Sequence, residues 1–140
     1  MNATLLYRIT SVIFVLFAAG HTVGFLTLAP PSPEARAVYE GMNNVHFQLR
    51  GESFSYGGFY RGFGLSITVT LLFSAFLAWH LGTLAGSNPQ AIGWLGWAFT
   101  LVQVVSIVIS WKYFATVPTI FAAAVAICLG WAAWLAGAKR

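Results

Sequence analysis

Apolar residues fill most of this chain in long stretches, and the small or polar residues that interrupt them recur at alternating three- and four-residue steps. That spacing places them on one face of a helix, not on alternate sides of a strand. One such line is Gly57, Arg61, Gly64, Thr68, Leu71, Ala75, Ala78 and Gly82. A second is Gly93, Gly96, Thr100, Gln103, Ile107 and Ser110, and a third is Thr119, Ala123, Ala126, Gly130, Ala133 and Gly137. Helices in lipid gain no hydrophobic energy by associating. Close approach at small residues and interhelical hydrogen bonds hold them together, so these lines are expected to face one another.

The charges act as a ruler. Between Arg8 and Glu34 lie 25 residues without Asp, Glu, Lys or Arg; between Arg61 and Lys112 lie 50, and between Lys112 and Lys139 lie 26. A hydrocarbon core of ~30 Å takes about 20 helical residues, so the outer stretches hold one span each. The middle stretch holds two, divided at Gly86-Ser87-Asn88-Pro89, where Gly closes one helix and Asn and Pro open the next. The pattern predicts spans over residues 5–28, 58–84, 90–112 and 116–138. The fold class expected is an all-α integral membrane four-helix bundle, one domain over residues 1–140.

Composition sharpens this. With 59% hydrophobic and 7% charged residues, the chain lies far from the roughly 25% charged content of a soluble domain. The bilayer is therefore its expected surroundings. A net charge of +4 without a basic stripe points to membrane orientation and away from nucleic acid. One cysteine, Cys128, excludes an intrachain disulfide and a cysteine zinc cluster, and its apolar neighbours point to inert packing. The N-terminus has the outline of a signal peptide, with Arg8, an apolar run and Ala18-Ala19-Gly20. The run continues through Val23, Phe25, Leu26 and Leu28, which favours a retained helix. Four spans put both termini on one side, with Arg8, Lys139 and Arg140 there against Arg36, Arg50, Arg61 and Lys112 on the other. Cytoplasmic termini are expected because Lys139-Arg140 directly abuts a span, while the long first loop can be translocated despite its arginines. Tyr7, Trp79, Trp94, Trp97, Trp111, Tyr113, Trp131 and Trp134 are expected to form an aromatic belt at the span ends.

The first loop is organised as well. After Pro30-Pro31, Ser32 can cap a helix with Pro33 in its first turn, and Glu34 sits favourably against the helix dipole. Val38, Met42, Val45 and Leu49 give that helix an apolar side and Gly51 can end it, so a short amphipathic interfacial helix is predicted over 33–50. Tyr39, Asn43, His46 and Arg50 form a polar line beside the apolar one. Phe54, Tyr56, Phe59, Tyr60 and Phe63 then alternate with glycines, a surface suited to headgroup depth.

Polar groups within spans are costly, and by default they pose a functional question. At ~1.5 Å per residue, His21 lies roughly 24 Å beyond Leu5 and Gln103 about 20 Å beyond Gln90, while Arg61 enters from the loop side. These three are expected to converge in the half of the membrane nearest the first loop. Tyr60, Ser106, Ser110, Lys112 and His46 are within reach of joining them. His80, beside Trp79, belongs to the opposite half.

Three functions follow. The first is binding of a lipid-like or other hydrophobic molecule, its polar end at His21, Tyr60, Arg61, Gln103, Ser106, Ser110, Lys112 and His46. The second is membrane catalysis on a lipid-like substrate, with His21 as acid or base, Glu40 or His46 assisting and Arg61 stabilising an anion. The third is an accessory or cofactor-carrying subunit of a membrane complex, or a homo-oligomer. No metal site and no cofactor is predicted: Glu40 and His46 are six apart, which is wrong for one helix face, and His21 and His80 lie at opposite depths. No dinucleotide fingerprint, phosphate loop or nucleophile elbow occurs.

At Tyr60-Arg61-Gly62-Phe63-Gly64-Leu65, Gly20-His21-Thr22, Tyr113-Phe114 and Val117-Pro118, the chain resembles a group of small uncharacterised bacterial four-helix membrane proteins, DoxX-like in kind. The resemblance implies a bacterial inner (plasma) membrane and a four-helix bundle. It carries over no activity and no catalytic residue.

Overall fold

A computed structural model describes residues 2–138. Lys139 and Arg140, on which the assignment of the termini partly rests, lie outside the described residues. The protein is mostly all-α. Helices α1 (Ala3–Leu26), α3 (Tyr56–Ser87), α4 (Leu95–Tyr113) and α5 (Thr116–Gly137) are long and apolar enough to cross a membrane. A short helix α2 (Pro33–Asn44) and a hairpin of strands β1 (His46–Leu49) and β2 (Glu52–Ser55) fill the first loop. Each spanning helix begins and ends within three residues of its predicted span, except α4, which starts five residues late.

That exception has a local cause. Residues Pro89–Ile92 form one turn of 3-10 helix, and Gly93 follows with φ +53°, which ends it. Helix α4 therefore starts at Leu95, not at residue 90, and the Asn88 side chain makes no capping hydrogen bond.

The chain packs as two compact units, one of residues 1–17 with 71–140 and the other of residues 18–70. The first is the four-helix unit. Its core draws Leu6, Tyr7 and Phe14 from α1, Ala75, Ala78 and Leu81 from α3, Phe99 from α4, and Val125, Leu129 and Ala132 from α5. Phe14 stacks on Phe99 with ring centroids 5.7 Å apart, and Phe17 stacks on Phe121 at 4.9 Å. The Ser11 hydroxyl donates to the Ala75 carbonyl at 2.8 Å, joining α1 to α3. The predicted lines lie inward in part. Ala75, Ala78 and Gly82 on α3 and Gly96 and Gln103 on α4 are buried, whereas Arg61 is exposed. On α5, Ala126 and Ala133 are buried while Thr119, Ala123, Gly130 and Gly137 are half-buried beside an inward face of Ala122, Val125, Leu129, Ala132 and Ala136. Trp94, Trp111, Tyr113 and Trp134 are exposed, as an aromatic belt requires. Tyr7 departs from that expectation. It is fully buried in the core, where Gly96 leaves a notch on α4 that receives its hydroxyl.

The second unit pairs the end of α1 with the start of α3 and carries α2 and the hairpin. Helix α2 is capped as its sequence predicts: the Ala35 amide donates to Ser32 Oγ at 3.2 Å, and Pro33 opens the first turn. The Ser32 hydroxyl and the Glu34 amide hold the Glu34 carboxyl below its ordinary value of 4.5. A depressed carboxyl helps the helix above its ordinary range, and the help is lost as pH falls through the lowered value. Ser32→Ala is expected to cost α2 about 1 kcal/mol, read as faster amide exchange over its first two turns.

The predicted interfacial helix ends early. Residues 46–49, expected in its last turn, form β1 instead, paired antiparallel with β2 so that Phe47 faces Phe54 and Leu49 faces Glu52. Arg50 and Gly51 make the turn with φ +55° and +86°, the conformation of a tight two-residue hairpin turn. Cross-strand aromatic pairing stabilises the alternative: the Phe47 ring lies 6.4 Å from Phe54, 5.0 Å from Tyr56 and 5.8 Å from Phe59. Of the apolar side, Val38, Val45 and Leu49 are exposed and Met42 is half-buried, as are Tyr39 and Asn43 of the polar line.

Candidate ligand-binding site

In the second unit, α1 and α3 approach closely because Gly64 has no side chain. A Cβ there would collide with the Phe25 ring, which lies directly on it. His21 and Thr22, one turn earlier on α1, then reach α3. The His21 Nε2–H donates to the Gly64 carbonyl at 3.0 Å, and the Thr22 and Thr68 hydroxyls bond at 2.9 Å. A carbonyl oxygen can only accept, so His21 carries its proton on Nε2. The ring stacks on Phe25 at 5.8 Å, and Phe25 in turn tilts against Tyr60 at 5.2 Å.

Beside this contact is a pocket of about 260 Å³ lined by Phe25, Leu26, Leu28, Tyr39, Gly57, Tyr60 and Arg61. Each wall has a local origin. Helix α2 brings Tyr39, and its Asn43 side chain donates to the Tyr39 carbonyl at 2.7 Å and lies on Gly57. The first turns of α3 bring Tyr60 and Arg61, and the end of α1 brings the apolar wall. Among the described residues Arg61 has no carboxylate in ion-pair reach. The pocket therefore offers a cation and two phenols beside three apolar side chains.

Of the residues expected to form the site, Tyr60 and Arg61 come together in this pocket, and His21 is linked to them through Phe25 without lining it. His46 is exposed on β1, where Nδ1 bonds the Asn44 carbonyl at 2.9 Å. Gln103, Ser106, Ser110 and Lys112 belong to the four-helix unit. Gln103 is buried on the Gly96–Phe99 face of α4, the Ser106 hydroxyl donates to the Val102 carbonyl of its own helix at 2.9 Å, and the Lys112 ammonium lies 5.3 Å from the Tyr113 ring centroid. His80 is exposed and stacks on Phe76. Among the described residues no three His, Cys, Asp or Glu side chains gather as metal ligands would.

Sequence reasoning passed over Phe25, Leu28 and Tyr39 as pocket walls. Tyr39 had a signal, its place on the polar line of α2. Phe25 had none, since an apolar ring at a span end reads as lipid contact until Gly64 is seen beneath it. The chain matches no protein-family model, no curated protein and no solved structure.

Proposed function

We propose that this multi-pass membrane protein binds a lipid-like molecule whose polar head occupies the Arg61 pocket while its apolar part extends into the bilayer. The observation that carries the reading is the wall composition: one unpaired guanidinium and the Tyr39 and Tyr60 side chains beside Phe25, Leu26 and Leu28. About 260 Å³ suits a headgroup better than a whole lipid, since drug-sized ligands fill roughly 300–1,000 Å³. The resemblance to DoxX-like bacterial proteins and the Arg8 and Lys139-Arg140 charges favour a bacterial inner membrane with cytoplasmic termini. The His21 hydrogen bond to Gly64 supports a packing role for that imidazole over an acid or base role.

Native mass spectrometry of the gently purified protein tests this. The wild type should carry a copurified lipid or quinone-like molecule, and Arg61→Ala should lose it while the helices remain folded by circular dichroism. His21→Phe keeps a ring beside Phe25 and should retain the ligand. Undiminished ligand on Arg61→Ala would remove the pocket from consideration.

A further inference from the structure

The four-helix unit contains a second cation with an unusual setting. Arg8, five residues into α1, is held against α3. Its guanidinium carbon lies 3.4 Å over the centroid of the Trp79 ring, and Nη2 donates to the Thr83 hydroxyl at 3.1 Å. Gly82 completes the seat: a Cβ there would lie 3.2 Å from Arg8 Nε, so only glycine leaves full room for the guanidinium between its two supports. Trp79, Gly82 and Thr83 fall at three- and four-residue spacing, on one face of α3.

This arrangement fixes the plane of the guanidinium and uses one of its five N–H donors. Among the described residues no carboxylate forms an ion pair with Arg8. The chain has three acidic side chains, Glu34, Glu40 and Glu52. A cation at the border of hydrocarbon is costly without a counterion, and a flat, immobilised guanidinium matches the paired oxygens of a phosphate. Depth agrees. At ~1.5 Å per residue Arg8 lies about 8 Å inside the start of α1, and Thr83 about 6 Å inside the end of α3. Both fall within about two turns of a helix end.

We propose that Arg8, held by Trp79, Gly82 and Thr83, is a phosphate-binding point that takes the oxyanion of an acidic phospholipid headgroup or of a free phosphate. The site is separate from the Arg61 pocket and lies on the other unit, so it stands whether or not that pocket binds a ligand. An arginine serving only as a topology anchor needs no fixed seat; this one is held by a ring and a hydroxyl of α3.

The test uses the full-length protein in mild detergent with phosphatidylglycerol, phosphatidylcholine or inorganic phosphate added, read by native mass spectrometry. The wild type should retain phosphatidylglycerol over phosphatidylcholine by about tenfold, the factor a charge-assisted hydrogen bond supplies. Arg8→Gln should abolish the preference, whereas Arg36→Gln, an equal loss of charge elsewhere, should leave it intact. A Trp79→Leu, Thr83→Val double variant keeps the charge but frees the guanidinium, and should lose most of the preference even if Arg8→Gln fails to fold. Displacement of the lipid by millimolar inorganic phosphate would assign the oxyanion to a free phosphate, and resistance would assign it to the headgroup. Equal retention of both lipids by the wild type, with no phosphate bound, would overturn the proposal. So would an unchanged preference in the double variant.

Discussion

Tyr7→Ala should destabilise the four-helix unit by about 3 to 5 kcal/mol, the range for truncating a fully buried aromatic side chain. Tyr7 has no exposed surface and packs against Gly82 on α3 and Gly96 on α4, so its loss opens a cavity where three helices meet. In lipid, where packing is the main force between helices, little offsets that void. The hydroxyl is a separate matter. Among the described residues it is the one buried side-chain oxygen or nitrogen without a hydrogen-bond partner. Leaving a polar group unpaired in an apolar interior carries a penalty, so Tyr7→Phe should be neutral or stabilising by about 1 kcal/mol. Reversible unfolding in mixed micelles separates the two effects. Phe behaving as badly as Ala would mean that the oxygen, not the ring, is what the fold uses.

The second large effect comes from the opposite wall of the same contact. A Cβ on Gly96 would stand 2.7 Å from Tyr7 Oη, 3.2 Å from Ala133 Cβ and 3.3 Å from Ile92 Cγ2. Three elements would have to give way at once, so Gly96→Leu is expected to cost about 1 to 3 kcal/mol or more through overpacking. Gly96→Ala should cost less, and the residue nearest the new methyl offers a check. In the Tyr7→Phe background the closest atom is gone, so Gly96→Ala should be partly rescued, and the two changes should be non-additive by more than about 0.5 kcal/mol. Strict additivity would show that the ring and the glycine do not meet. Both measurements concern the four-helix unit and leave the Arg61 pocket untouched, which makes loss of ligand and loss of fold separable experiments.

The seat of Arg8 and the Arg61 pocket use the same chemistry in different company. Arg8 is immobilised by an indole and a hydroxyl, whereas Arg61 shares a cavity with two tyrosines and an apolar wall. Neither has an acidic partner among the described residues, and in a chain with three carboxylate side chains an anion from outside is the natural counter-charge. The two sites predict different selectivities. A headgroup bound at Arg61 is read by shape and phenol contacts, and one bound at Arg8 by its phosphate alone.

How far the sequence reaches varies from element to element. The spans were legible because bilayer thickness sets helix length and charge is expensive within it, so intervals of 25, 50 and 26 uncharged residues leave few ways to cross. The inward faces were legible for a related reason: small residues at helical spacing have no other use in lipid, and Ala75, Ala78, Gly82, Gly96 and Ala133 are indeed buried. The hairpin was missed although His46-Phe47-Gln48-Leu49 alternates polar and apolar. The same four residues also extend a helical line through Val38, Met42 and Val45, and four residues are too few for periodicity to decide. The start of α4 is not legible because Gly93 fits the spacing of a small-residue helix face, while its positive φ stops the preceding turn.

What the sequence determined by itself was therefore topology: four helices long and apolar enough to cross a membrane, a capped amphipathic helix between the first two, and part of the faces that turn inward. Those follow from local rules, the cost of charge and of unpaired backbone in hydrocarbon. What only the tertiary structure decided was partnership. Tyr7 became core instead of belt, His21 became a donor to the Gly64 carbonyl instead of a free imidazole, and Arg8 was laid across Trp79. Each depends on a glycine on another helix, and the length of chain between Tyr7 and Gly96, His21 and Gly64, or Arg8 and Gly82 carries no periodic signal that would join them. Packing across helices is set by complementary shape, and shape exists only after the helices have met.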